Sequence, residues 1–565
     1  MKVVIVGGVA GGASAAARLR RLDENARIVM FERTGYVSYA NCGLPYYIGG
    51  VIKDREDLTL QTPQSFKERF DIDVRVLTEV VFIDRAAKKV AVRDLTTGAT
   101  YEESYDKLIL SPGARPVVPD VKGADSDKIY TLRTVEDTFR IRDAAISKGV
   151  RSAVVIGGGF IGIETAENLR EAGLYVTLVQ RSGHVLSPID GDIASFLHNR
   201  IRKFGVDLRL NSALLGFEEE GGRICVLLKD GQQVEADMAV LAIGVAPESA
   251  LAKEAGLEIG VKGSIVVNDR MQTSDPDIYA VGDAVSITNT VTGGKAVISL
   301  AGPANKQGRV AADNIAGVDH TYKGSHAASV LKVFDMTAAF VGINEKTAKA
   351  AGVDYDKIII SPASHASYYP GGKVMTLKVL FMNTDRKIIG AQAVGFDGVD
   401  KRIDVIATAM QAGMKVTDLA DLDLAYAPPY ASAKDPVNMV GFVAENVLEG
   451  KVKQFYYEDL PSLKGADVTL LDVRTAEECA RGHAAGFNMN IPVDELRERA
   501  SEIDRSKPLY LMCQSGLRSY IACRMLMQKG FDCYNFAGGY RLYSSIAKSE
   551  FDSACATDCG VNRAK

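Results

Sequence analysis

An α/β architecture of several layered domains is predicted by three observations. A short apolar strand closing on a glycine turn and opening into a helix stands at the N-terminus, and the same unit returns about 150 residues later. Near the C-terminus a third strand, Pro508 to Met512, runs into a loop headed by Cys513 and then a helix. At 565 residues the chain exceeds a single core, and it implies about three to four domains of roughly 100–200 residues each.

Apolar residues make up 47% and charged residues 24%, the balance of an ordered globular protein. A net charge of −4 argues against broad nucleic-acid binding while leaving room for a local basic pocket. Met1-Lys2-Val3-Val4-Ile5-Val6 enters a strand at once, which leaves no space for a signal peptide and predicts a cytoplasmic location. Charges or turn residues interrupt every apolar run, so no membrane span is expected. The eight cysteines lack the spacing of a disulfide scaffold, and most are expected reduced.

In the first unit, Val3 to Val6 leads through Gly7-Gly8-Val9-Ala10-Gly11-Gly12 into an Ala-rich helix, and a second strand ends at Glu32-Arg33. This is a Rossmann-like dinucleotide fingerprint. The glycines let the backbone approach a pyrophosphate at the helix N-terminus, and Glu32 accepts from a ribose. Val9 departs from it, standing where a middle glycine is usual. The cofactor-binding candidates here are Gly7, Gly8, Ala10, Gly11, Gly12, Glu32 and Arg33.

In the second unit, Ala153 to Ile156 precedes Gly157-Gly158-Gly159-Phe160-Ile161-Gly162, and the next strand ends at Gln180-Arg181. Gly157, Gly159 and Gly162 are the candidates. The missing acid favours NADPH slightly, with Arg181 placed to pair with a 2′-phosphate; a merely solvated Arg181 leaves NADH open. Leu108 to Ala114 and Val240 to Gly244 are strands closing on small-residue turns that mark crossings between domains.

Thr273-Ser274-Asp275-Pro276-Asp277-Ile278-Tyr279-Ala280-Val281-Gly282-Asp283 resembles the second FAD motif of the flavoproteins with two dinucleotide-binding domains. The resemblance covers about residues 1–325 and implies FAD, with Asp283 on the ribityl chain and Gly282 and Ala114 beside it. The expected boundaries are 1–114 with 244–325 for FAD, 115–243 for NAD(P), 326–450 for an α/β dimerisation domain, 455–550 for a C-terminal α/β domain and 551–565 for a flexible tail.

Ser38-Tyr39-Ala40-Asn41-Cys42-Gly43-Leu44-Pro45 is a polar segment in which a thiol can face the flavin. Val37 and Tyr47 occupy the positions five residues either side of Cys42, so no internal disulfide forms there. A lone thiol stores its oxidising equivalent as a mixed disulfide, persulfide or sulfenic acid. The segment resembles the coenzyme A disulfide reductases, and the likeness continues through Tyr105-Asp106-Lys107-Leu108-Ile109-Leu110-Ser111-Pro112-Gly113-Ala114. It implies that Ser38, Asn41 and Arg21, with Arg18 nearby, bind coenzyme A; Gln61, Lys67 and Arg69 lie where they can add to a phosphate pocket.

None of the six histidines falls between 366 and 482, where glutathione-type reductases place a catalytic one. Ser367-Tyr368-Tyr369-Pro370-Gly371 and Ala425-Tyr426-Ala427-Pro428-Pro429-Tyr430 resemble the stretches that give coenzyme A disulfide reductases their active-site tyrosines. Tyr426 and Tyr368 are therefore the proton or hydrogen-bond donors the resemblance implies, with Lys434 as a substrate contact and a homodimer in which the tyrosines reach the other subunit's cysteine.

Asp472-Val473-Arg474, Gly482-His483, Cys513-Gln514-Ser515-Gly516-Leu517-Arg518-Ser519 and Ala537-Gly538-Gly539 resemble a rhodanese domain. A nest of N–H groups over Cys513 is expected to favour anionic sulfur. Cys523 and Cys533 are expected in the core. From Asp552 the chain looks irregular, and Cys555 and Cys559 lack the further ligands of a metal site.

Together these readings predict an FAD-dependent NAD(P)H reductase of coenzyme A disulfide, coenzyme A persulfide or polysulfide. It acts through Cys42 and is coupled to sulfane-sulfur handling at Cys513. The alternative is an NAD(P)H oxidase or peroxidase cycling through a Cys42 sulfenic acid.

Overall fold

The computed structural model describes residues 1–558, which fall into two compact units. The first holds Met1–Arg181, Gly205–Asp207 and Asn211–Ala327. Its N-terminal strand Lys2–Val6 lies between Arg27–Phe31 and Lys107–Leu110, with Asp73–Arg75 and Ile278–Ala280 at the edges, all parallel. Val3, Val4 and Ile5 are fully buried, as expected of a parallel strand covered on both faces. The helix Ala10–Leu22 packs on the helix Ala301–Ile315, and a Cβ at Gly308 would stand 2.3 Å from Gly11 O. Only glycine permits that approach.

The repeat follows the same plan: Ser152–Ile156 lies between Tyr175–Val179 and Met238–Leu241, with Ile129–Thr131 outside, again all parallel. Two antiparallel three-stranded sheets, over 78–104 and 214–236, accompany the two parallel ones. The pair Ala114–Pro116 and Val245–Pro247 joins the crossings between them.

The second unit holds Ser182–Phe204, Leu208–Leu210 and Ala328–Lys565. Its antiparallel sheet runs Ser329–Val333, Met336–Gly342, Ile388–Gly395, Thr376–Met382, Tyr355–Ile360. A separate parallel sheet runs Lys453–Phe455, Cys533–Phe536, Leu509–Met512, Thr469–Asp472, Met489–Asn490.

Two features of this unit differ from the sequence reading. The helix Gly191–Lys203, within the stretch assigned to NAD(P), groups here because it packs on the final helix, Gly539–Asp558. Ser195 Oγ meets Ser545 Oγ at 2.8 Å, and His198 Nδ1 meets Ser549 Oγ at 2.7 Å. Burial depresses His198 to about 3 and keeps it neutral. The second difference is the C-terminal segment, which does not become irregular at Asp552. Its helix continues through Asp558, because Arg202 donates to Ser553 Oγ at 2.8 Å and Lys548 pairs with Asp552. Cys559 and the rest of the expected tail lie outside the described residues. Among the described residues no helix is long and apolar enough to cross a membrane.

Candidate active site

The glycine turns have the geometry that a pyrophosphate requires. A Cβ at Gly12 would lie 1.9 Å from Gly7 O, and one at Gly162 would lie 1.7 Å from Gly157 O, so both helices start tight against the turns. Neither helix has a side-chain cap at its N-terminus or an acid in its first turn, leaving N–H groups and the positive dipole end for phosphate oxygens. Gly8 N donates to Glu32 Oε2 at 3.0 Å, and Thr34 N and Oγ1 both donate to Oε1 at 2.9 Å. In the second unit Gly158 N donates to Gln180 Oε1 at 3.0 Å. The amide occupies the place of the carboxylate without its charge. Arg181 is exposed at the strand end. These residues fit FAD at the first turn and a nicotinamide nucleotide at the second.

Arg33 is largely exposed and faces Glu248 at 3.6 Å, Ala114 is buried in the linking pair, and Gly282 N donates to Gln307 Oε1 at 2.7 Å. Asp283 accepts from Arg133 Nη2 at 2.9 Å.

Cys42 lies in the turn Asn41–Gly43 that opens the helix Leu44–Ile48, and it is exposed. That short helix packs on Val135–Ala145 and Phe160–Glu171, which brings Tyr46 Oη to 3.4 Å from Glu164 Oε1. Burial raises Glu164 to about 7; the Tyr46 hydrogen bond opposes this and Glu167 adds to it. Burial, then Glu164 and Asp283, push the Cys42 thiol up, while Arg133 pulls it down. In the amide orientation that satisfies both partners, Asn41 donates to Arg133 O at 3.2 Å and accepts from Arg133 Nη1 at 3.3 Å. Cys42 thus has electrostatic neighbours from both repeats of the unit.

The other expected substrate residues are placed unevenly. Ser38, at φ +49, joins Cys42's segment to the first glycine turn through its N–H to Gly8 O at 2.8 Å. Arg18 Nε is held by the buried Asp313 at 2.6 Å, whose other oxygen meets His320 Nδ1 at 2.7 Å. Lys67 pairs with Asp71, and Gln61 Oε1 accepts from Ser65 Oγ at 2.8 Å. Arg21 and Arg69 are exposed.

In the second unit, Tyr368 and Tyr426 come together: their hydroxyls lie 2.6 Å apart, and both rings are exposed. Arg402 ties their loops. Its Nη2 donates to Ser364 O at 3.0 Å and to Asp435 Oδ2 at 2.9 Å, and Ala366 N donates to Ala431 O at 3.0 Å. Lys434 is exposed.

Cys513 ends the strand Leu509–Met512 and is fully buried. Gly516 N and Ser519 Oγ both donate to its Sγ at 3.2 Å, one backbone N–H and one hydroxyl where a nest of N–H groups is expected. Burial pushes up the thiols of Cys523, Cys533 and Cys479, Cys533 to about 12 and Cys479 to about 11. They remain protonated, and Cys523 and Cys533 sit in the core as expected.

Sequence reasoning missed Arg133 and Glu164. Glu164 had a usable signal, lying two residues past the last glycine of the second turn, early in its helix. Arg133 had none, because its partners Asn41 and Asp283 come from elements far apart in the chain.

Comparison with known proteins agrees with this geometry. Residues 1–308 match the pyridine nucleotide-disulphide oxidoreductase family, 328–436 its dimerisation domain and 458–545 the rhodanese-like domain. A coenzyme A disulfide reductase of Staphylococcus haemolyticus is 38% identical over 447 residues, covering 79% of this chain and 100% of that protein. A crystal structure of reduced Bacillus anthracis CoADR-RHD superposes with a TM-score of 0.94 at 49% identity, covering 97% of this chain and 98% of that one. A NAD-dependent persulfide reductase from A. fulgidus superposes with a TM-score of 0.92 at 38% identity, covering 96% and 100%.

Proposed function

The chain belongs to the pyridine nucleotide-disulphide oxidoreductase family, and from that premise we propose that it is an FAD-dependent NAD(P)H reductase of coenzyme A disulfide or coenzyme A persulfide, with Cys42 as its redox-active residue. The observation that carries this reading is the setting of Cys42. It is an exposed thiol in the Ser38–Cys42 segment, flanked by Asp283, Arg133 and Glu164. The names of the related proteins point to the same two sulfur substrates. Polysulfide, which presents the same sulfur–sulfur bond, belongs to the same substrate range.

When bound, FAD passes reducing equivalents from NAD(P)H to the sulfur site. Cys42 as thiolate attacks one substrate sulfur, forming a mixed disulfide and releasing the other half as a thiolate. Two electrons from NAD(P)H then split the mixed disulfide, returning the Cys42 thiolate and the second product thiol. Overall, one disulfide, one NAD(P)H and one proton give two thiols and NAD(P)+. The phenols of Tyr426 and Tyr368 suit protonation of a departing thiolate. Their exposure, and the match to a dimerisation domain, support a homodimer in which a second subunit covers them. Its free cysteines suit the reducing cytoplasm. In this reading Arg181 contacts the nicotinamide nucleotide, Ser38, Asn41, Arg21 and Lys434 contact the substrate, and Cys513 receives sulfane sulfur that Cys42 reduces.

Steady-state oxidation of NAD(P)H with coenzyme A disulfide, coenzyme A persulfide, polysulfide, peroxide and oxygen tests the reading. Sulfur substrates are expected to drive turnover, and Cys42→Ser to abolish it with the flavin retained. Turnover with oxygen or peroxide alone would overturn it. Cys513→Ser is expected to spare coenzyme A disulfide and impair turnover that begins from a sulfane donor.

A further inference from the structure

The hydroxyl that reaches Cys513 has two acceptors and a single hydrogen to give. Ser519, fully buried in the first turn of the helix Leu517–Met527, places its Oγ 3.2 Å from Cys513 Sγ and 3.2 Å from Gly516 O. A serine hydroxyl donates once, so the two bonds compete. The outcome decides whether the sulfur has two donors, Ser519 Oγ and Gly516 N, or Gly516 N alone.

Gly516 O is already supplied. Tyr520 N donates to it at 3.1 Å as the first bond of the helix, and Asn535 Nδ2 donates to it at 3.2 Å. A carbonyl oxygen has two lone pairs, and these two donors fill them. Asn535 comes from the strand Cys533–Phe536, where it stands in register with Leu511 of the strand that leads to Cys513. Only the NH2 end of its amide can face a carbonyl oxygen.

The other end of that amide shows what the contact costs. Asn535 is 5% exposed, and its Oδ1 is buried with no hydrogen-bond partner among the described residues. An unpaired interior acceptor is destabilising, and asparagine is depleted in strands. Leucine has nearly the same shape and carries neither penalty, so the fold alone does not call for an amide here. The bond to Gly516 O does.

The charges around the sulfur are fixed independently of this choice. Arg518 of the same loop is held by Glu478 at 2.7 Å, the buried pair Asp472 and Arg474 closes at 2.6 Å, and burial keeps the Cys523 thiol of the following helix protonated. Arg541, at the start of the final helix, meets the loop through its N–H to Gln514 O at 3.1 Å.

We propose that Asn535 is a positioning residue for Cys513: by filling Gly516 O together with Tyr520 N, it leaves the one hydrogen of Ser519 for the sulfur and favours the thiolate. The inference deepens the reading of Cys513 as a sulfur acceptor, on which its bearing on turnover rests.

The test follows the ultraviolet absorbance of the thiolate against pH, as the difference between each full-length protein and the same protein carrying Cys513→Ser. Asn535→Leu is expected to raise the midpoint by about half to one pH unit, which is roughly three- to tenfold less thiolate below it. Ser519→Ala is expected to raise it at least as far, and the double variant no further than Ser519→Ala alone, because Asn535 acts through that hydroxyl. Urea unfolding of Asn535→Leu is expected to be no easier than that of the native protein, which a mere structural tie would not allow. A native midpoint in Asn535→Leu, or a double variant shifted by the sum of the two single ones, overturns the proposal. Should Asn535→Leu fail to fold, Asn535→Ala takes its place with the same expected midpoint and the same overturning result. Loading of sulfane sulfur onto the native Cys513 peptide is read separately by mass spectrometry; its absence removes the acceptor reading, while the midpoints still decide what Asn535 does.

Discussion

Tyr368 Oη and Tyr426 Oη lie 2.6 Å apart although 58 residues separate them in the chain. The hydrogen bond with Tyr368 raises the Tyr426 phenol above its usual range, so Tyr426 keeps its proton at neutral pH and can act as a donor. Tyr426→Phe is expected to lower kcat with coenzyme A disulfide by roughly ten- to a hundredfold, the effect of losing one proton donor. Tyr368→Phe removes the partner that aligns it, so the double variant should be no worse than the more damaging single one. Native kcat/KM in Tyr426→Phe would make the tyrosines surface residues only.

Arg402 and Asp435 hold the two tyrosine loops from inside. Both side chains are almost fully buried, and Asp435 also caps the helix Pro436–Leu448 by accepting from Val437 N at 3.0 Å. Asp435→Ala leaves a buried guanidinium unpaired, which costs about 3–5 kcal/mol. Urea unfolding of the interface domain should shift accordingly. A change below about 1 kcal/mol, the scale of an exposed pair, would mean the pair is not needed.

Gln180 repeats the contact of Glu32 without its charge, each accepting from a glycine N–H at 3.0 Å. A carboxylate there would repel a 2′-phosphate and accept from a free ribose hydroxyl. Gln180→Glu is therefore expected to move the NADPH-to-NADH preference toward NADH by about tenfold, and Arg181→Ala to move it in the same direction. An unchanged preference in both variants would place selection elsewhere.

Much of this was legible because local chemistry decides it. Gly12 and Gly162 must be glycine where a Cβ would meet a carbonyl, so they announce the turns and the strands behind them. Cys42 and Cys513 stand in loops whose neighbours name their chemistry. The helix Gly191–Lys203 was harder to place, since the serines of its partner helix lie some 350 residues away. The continuation of that partner helix to Asp558 was hidden for the same reason. The tie of Arg18 to Asp313, 295 positions on, was hidden because nothing local reveals it. Glu164 was missed because its effect on Cys42 arises only when Leu44–Ile48 packs on Phe160–Glu171.

Glu164 makes Cys42 sensitive to pH in a direction that can be worked out. Its carboxyl, raised to about 7, is neutral below that pH and charged above it. Once charged, it joins burial and Asp283 in pushing the Cys42 thiol up, against the pull of Arg133. Glu164→Gln removes that contribution, so the thiol titrates at lower pH and more thiolate is present above neutrality. Alkylation of the Cys42 peptide by iodoacetamide, followed against pH on the flavin-loaded protein, should then have a lower midpoint and run about three- to tenfold faster above pH 7, the size of a shift of up to one pKa unit. Arg133→Gln takes away the opposing charge and should move the midpoint the other way. Tyr46→Phe deletes the hydrogen bond that favours the Glu164 carboxylate, so Glu164 should ionise at higher pH and its influence on Cys42 should begin later. If Glu164→Gln and Tyr46→Phe both alkylate with the native profile, the carboxyl is not coupled to the thiol.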